Sequence, residues 1–167
     1  MTRSSSQISR VAIVIALAFA SLTLAVFAMR TQGADVTTVT LPNGGVQPQV
    51  AIDASGTIHV LYFQGDAANG NLFYTRLNPA SLQFSPAIRV NSQPSSAVAM
   101  GSIRGGQLAI GQGGRVHVAW DGSSKATTRA PTGKTPVLYT RLNDAGTAFE
   151  PERNLVQASV DACGAAR

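Results

Sequence analysis

The chain is poor in the residue types on which most sequence-legible chemistry depends. Among its 167 residues there is one cysteine, Cys163, which excludes an internal disulfide framework and any multi-cysteine metal site. Histidine occurs twice, at His59 and His117, and glutamate twice, at Glu150 and Glu152. Charged residues make up only 13% against 44% apolar ones, which excludes an acidic or basic disordered tail and a Glu/Lys/Leu-rich coiled coil. No stretch beyond residue 34 carries a helical period. Basic runs are missing too. The formal charge is +5, but Arg3 and Arg10 belong to the first ten residues, and setting them aside leaves 11 basic against 8 acidic groups, scattered singly. Nucleic-acid binding requires clustering on one face and is not expected.

The N-terminus has a clear pattern of its own. Met1–Arg10 is basic, and Val11–Ala28 is an uncharged, mostly apolar run of 18 residues ending with Val26 and Ala28 at the −3 and −1 places of a cut after Ala28. This is the layout of a secretory signal peptide. The run also approaches the ~20 residues of a membrane span. Residues 1–28 are therefore expected to be a cleaved signal or a retained anchor. Both place the rest outside the cytoplasm, secreted or periplasmic in the first case and membrane-anchored in the second.

The remainder contains a repeat. Gln49–Tyr62 aligns with Gln107–Trp120 at an offset of 58, with six of fourteen positions identical. Tyr74-Thr-Arg-Leu-Asn78 recurs as Tyr139-Thr-Arg-Leu-Asn143 at an offset of 65, and Phe84 and Pro86 match Phe149 and Pro151. The seven extra residues fall in polar, turn-rich Asp121–Pro136, as a loop insertion would. Each copy predicts four short strands: 49–53, 57–63, 71–77 and 87–91, then 107–111, 115–120, 137–142 and 153–156. Ser55-Gly56 and Gly113-Gly114 supply the hairpin turns. Repeated antiparallel quartets predict an all-β partial propeller of about two four-stranded blades. The organisation reads as linker 29–46, with Asp35–Leu41 a candidate strand of a neighbouring blade; blade 47–91; loop 92–106; blade 107–157; and tail 158–167.

Asn143-Asp144-Ala145-Gly146-Thr147-Ala148-Phe149 resembles the Asp-box turn of the sialidase (neuraminidase) superfamily and related BNR-repeat propellers. It follows Tyr-x-Arg and precedes Pro151, as in that family. Leu142 and Ala148 stand where the motif has Ser and Thr, and the first copy has lost both Asp and Gly. The resemblance assigns Asn143, Asp144, Gly146 and Phe149 a structural role, with the Asp side chain bonding turn amides and the aromatic packing beneath. It implies kinship with glycoside hydrolases acting on terminal sialic acids. Those enzymes use an arginine triad, a tyrosine nucleophile paired with glutamate, and an aspartate acid/base. The family's opening Phe/Tyr-Arg-Ile-Pro segment is absent, so no catalytic residue is assigned and activity of this chain alone is not expected. Two blades against the family's six imply a truncated product, a fragment, or a subunit completed by other copies.

Arg104, in Gly101-Ser-Ile-Arg-Gly-Gly106, has no counterpart in the first copy and is the first candidate for an anionic sugar. Asp53 and Asp121, at strand ends, complete the substrate-binding candidates, each readable as an acid. Each has a plainer reading as a solvated loop residue or turn cap. Tyr62, Tyr74 and Tyr139 recur or are replaced by Trp120, and so read as packing. Arg76 and Arg141 are likewise duplicated. His59 and His117 occupy one repeat position, which favours a satisfied histidine between blades over a ligand. Lys125, Arg129 and Lys134 place three cations in ten residues of the inserted loop, a solvated loop or a contact for acidic glycans. No cofactor and no metal is called for. Expected partners are a glycan or anionic sugar, other copies through open blade edges, and a membrane only if residues 1–28 are retained. The non-catalytic alternative is a glycan- or protein-binding module.

Overall fold

The computed structural model describes residues 36–129 and 133–156. The expected signal peptide or anchor over 1–28 and the tail 158–167 lie outside the described residues. Among those described, no helix is long and apolar enough to cross a membrane. From Val39 onward they belong to one compact unit.

That unit is two antiparallel sheets. Sheet 1 holds β1 (Val46–Ile52), β2 (Ile58–Asp66) and β3 (Asn69–Asn78) in order, with β4 (Gln83–Phe84) and β5 (Ile88–Arg89) both paired to β3. Sheet 2 is β6 (Gly106–Ile110), β7 (Val116–Asp121), β8 (Val137–Arg141) and β9 (Arg153–Asn154), also in sequence order. The anticipated quartets are present, with one difference. The outer strand of sheet 1 breaks into β4 and β5 around Pro86, which has no N–H to donate to the ladder. Sheet 2 breaks identically at Pro151, where Leu142↔Phe149 remains as an isolated bridge before β9. Over the described part of the candidate strand Asp35–Leu41, residues 36–41, no strand forms. Val36–Leu41 has no regular structure and Val36 is 93% exposed. β1 instead begins earlier than anticipated, because a register shift between Val46 and Gln49 absorbs Gln47, at φ 52°, and Pro48.

The repeat in sequence is a repeat in register. Phe73↔Arg89 and Tyr74↔Ile88 in sheet 1 recur as Leu138↔Asn154 and Tyr139↔Arg153 in sheet 2, each at the offset of 65. Backbone bonds recur with them: Ser85 N to Arg76 O at 2.8 Å and Glu150 N to Arg141 O at 2.9 Å.

The core lies between the sheets, and its composition shows how they stack. Sheet 1 contributes Leu61, Phe63, Leu72 and Tyr74, whereas sheet 2 contributes Val116, Val118, Trp120 and Leu138. In repeat terms these are opposite faces, since Leu61 corresponds to Ala119, and Trp120 to Tyr62. The front of one copy therefore packs on the back of the next. Each large side chain buried there contributes about 1.5–3 kcal/mol. Gly106 permits the closest approach, because a Cβ on it would lie 2.8 Å from Leu72 Cδ1 and 2.9 Å from Leu61 Cδ2.

Segment 92–106 is stitched to both sheets. Ala97 bridges Gly70 on one side and Gly122 on the other. The Trp120 indole N–H donates to Ser96 O at 3.3 Å, and the Ser123 hydroxyl to Ser95 O at 2.6 Å.

A candidate binding cleft beside Arg104

Two of the three candidate substrate-binding residues, Arg104 and Asp121, line one cleft. Its volume is about 620 Å³, and Arg104, Gln107, Trp120 and Asp121 are among its walls. That size suits a small polar ligand. Gly105, at φ +66°, turns the chain after Arg104, and Gly106 then seats it against sheet 1. This leaves Arg104 on the exposed rim while β7 delivers Trp120 and Asp121 from below. Among the described residues Arg104 has no ion pair and no hydrogen bond. A guanidinium in that state can offer its planar donor fork to a carboxylate or phosphate.

Asp53 is placed elsewhere. It closes the β1–β2 hairpin, and its carboxylate accepts from Ser55 N (2.9 Å), Ser55 Oγ (2.6 Å) and Thr57 N (2.9 Å). His59 Nε2 is 3.1 Å from its second oxygen. The Ser55 hydroxyl, then His59 and the two amides, hold its carboxyl well below the ordinary carboxylate range.

The tyrosines and glutamates are committed within the fold. Tyr74 Oη lies 2.7 Å from His59 Nδ1, and Tyr139 Oη 2.7 Å from His117 Nδ1. Each histidine thus finds its tyrosine diagonally across its own sheet, a satisfied histidine with its partner supplied from within the same copy. Burial pushes the Tyr74 and Tyr62 phenols up from their ordinary values, so both stay protonated at neutral pH. Glu150 accepts from Arg141 Nε at 2.9 Å to each oxygen, and this contact holds its carboxyl low. Glu152, beside Pro151, is buried. It accepts from Ser92 N (3.0 Å), Ser92 Oγ (2.5 Å) and Gln93 N (3.1 Å), tying sheet 2 to segment 92–106.

The Asp-box-like turn forms, with a different residue at its centre. Asn143 Oδ1, not Asp144, accepts from the Thr147 amide at 3.0 Å and the Ala148 amide at 3.4 Å. Asp144 points outward and pairs with Arg115. Gly146 takes φ +68°, and Phe149 packs edge-on against Tyr74 with ring centres 5.6 Å apart. In the first copy Asn78 also caps its own turn, but from nearer amides, accepting from Ala80 N (2.9 Å) and Ser81 N (3.2 Å), although the Asp and Gly are gone.

In the inserted loop Arg129 donates to Ser124 O at 2.6 Å and Lys125 is exposed. Among the described residues no group of three or more His, Cys, Asp or Glu side chains could hold a metal ion. No protein-family model matches the chain, and no curated protein matches it.

Proposed function

We propose that the chain is an exported, sialidase-like BNR-repeat segment that binds a negatively charged sugar in the cleft beside Arg104 without cleaving it by itself. The observation that carries this reading is the unpaired Arg104 guanidinium at the rim of a cleft that also holds Asp121 and Trp120. Front-to-back stacking, the shared register and the turn at Asn143–Phe149 support two propeller blades around a common axis. The commitment of Tyr74, Tyr139, Glu150 and Glu152 to structural bonds favours binding over hydrolysis. Sialic acid is the ligand class that the resemblance suggests.

The test is to titrate the purified chain with free sialic acid, and separately to follow release of a fluorescent leaving group from a sialoside. Saturable binding that Arg104→Ala removes, with no turnover, is the expected outcome. Turnover abolished by Arg104→Ala would replace binding with catalysis, and the absence of any binding would overturn the reading.

A second reading, association of copies, is favoured by the apolar row Val46, Val50 and Ile52, each at least 51% exposed along the edge strand β1. A concentration-dependent sedimentation coefficient, reduced by Val50→Lys, is what it predicts.

A further inference from the structure

Arg76 and Arg141 are the same repeat position, yet only one of them has an acid. Arg141 is held by Glu150, and Arg153 approaches the same carboxylate at 3.5 Å. At the matching place in the first copy stands Ser85, whose hydroxyl accepts from the Arg76 backbone N–H at 3.0 Å and offers the guanidinium no charge. The Arg76 guanidinium lies over the Tyr74 ring, 5.5 Å from its centre, and among the described residues no carboxylate pairs with it.

Its position is not that of a loose surface arginine. Arg76 reaches from sheet 1 to the turn of sheet 2, where a Cβ on Gly146 would come within 3.3 Å of Nη2. There it lines a recess of about 190 Å³ together with Gly113, Gly114, Arg115, Asn143 and Asp144. Two guanidinium groups line the recess with one carboxylate, that of Asp144, which pairs with Arg115. The recess therefore carries an uncompensated positive charge. A cation partly shielded from water and lacking a partner favours an incoming anion. The chain itself shows which anion suits this arginine position, since a carboxylate fills the equivalent place in the second copy.

We propose that the recess between Arg76 and the Asn143–Gly146 turn binds a small carboxylate ligand, with Arg76 as its principal contact and Arg115 as a second. The site is separate from the cleft beside Arg104 and does not depend on the sugar-binding reading.

The test is a ¹H–¹⁵N titration with sodium acetate against sodium chloride at matched ionic strength. The Gly113, Gly114 and Gly146 amides should shift saturably with acetate and not with chloride. Arg76→Gln should weaken binding at least about tenfold. Ser85→Glu is the second variant, because it supplies from within the chain the carboxylate that Glu150 supplies to Arg141. It should abolish acetate binding while leaving the fold and the Arg104 cleft intact, and so covers the case in which Arg76→Gln fails to fold. Equal shifts with chloride, or acetate binding unchanged in Ser85→Glu, would overturn the site.

Discussion

His59 Nε2 lies 3.1 Å from Asp53 Oδ2, whereas His117, the same residue of the repeat, faces Gly111 where that aspartate would be. Both histidines keep a 2.7 Å bond to tyrosine, so the carboxylate is an addition to a shared pair. Its effect on acid stability has a definite sign. Asp53 is held below its ordinary value in the folded chain, so its contribution is complete above the unfolded pKa of about 3.9 and is lost as pH falls beneath it. Denaturation midpoints measured at successive pH values should fall through the acid range. In Asp53→Asn the fall should be shallower without vanishing, because Glu150 is depressed too. Parallel profiles for the two proteins would contradict the assignment.

Gly111 has ordinary extended backbone, φ −89° and ψ −170°, so a side chain there meets a steric obstacle alone. An added Cβ would land on His117 Nε2, and Tyr139 pins that ring from its other nitrogen. Gly111→Ala should cost about 1–3 kcal/mol in chemical denaturation. Much of the loss should disappear in the background of His117→Ala, a coupling that a double-mutant cycle reads directly.

The Tyr62 hydroxyl is buried and, among the described residues, has no hydrogen-bond partner. Its ring stacks on Phe73 at 5.7 Å, and those contacts do not need the oxygen. Tyr62→Phe should therefore raise stability by about 1 kcal/mol, since a desolvated, unbonded hydroxyl is removed without a change of shape. A clear loss of stability would mean that the hydroxyl has a partner.

Glu152→Gln should lower stability by about 1.5–3 kcal/mol, the range for hydrogen bonds to a charged group. It replaces one accepting oxygen with a donor that faces the amides or hydroxyl of Ser92 and Gln93. Amide exchange at Ser92 and Gln93 should accelerate with it. Unchanged exchange there would show that other bonds hold the segment.

Most strands were legible because both offsets of the repeat coincide with β-periodicity, and because Gly56 and Gly113-Gly114 do adopt the positive φ that their turns require. The break at Pro86 could have been anticipated from its missing N–H, as the echo at Pro151 shows. The grouping of Arg104 with Asp121 was half legible. Both were marked singly, and it is the β6–β7 register, with Gly106 opposite Trp120, that puts segment 92–106 and the end of β7 into one cleft. Asp53 was open between two readings because a strand-end aspartate has the same sequence signature whether it awaits a ligand or caps its own hairpin, and it does cap the hairpin. Asn143 and Glu152 show the same limit differently. Which of two adjacent polar side chains turns inward depends on the Thr147 and Ala148 amides and on Arg115 from another strand connection. Whether a glutamate beside proline is buried depends on neighbours some sixty residues away.

The polarity of the stacking has a consequence for how the two halves differ. Tyr62 and Trp120 are counterparts, yet Trp120 sits in the shared core with its N–H satisfied while Tyr62 looks the other way. Counterparts on these faces never touch one another, so a duplication of this kind is not bound to keep its twins alike. Each half answers to its own surroundings, and asymmetry such as Asp53 against Gly111, or Glu150 against Ser85, can accumulate without disturbing the common scaffold.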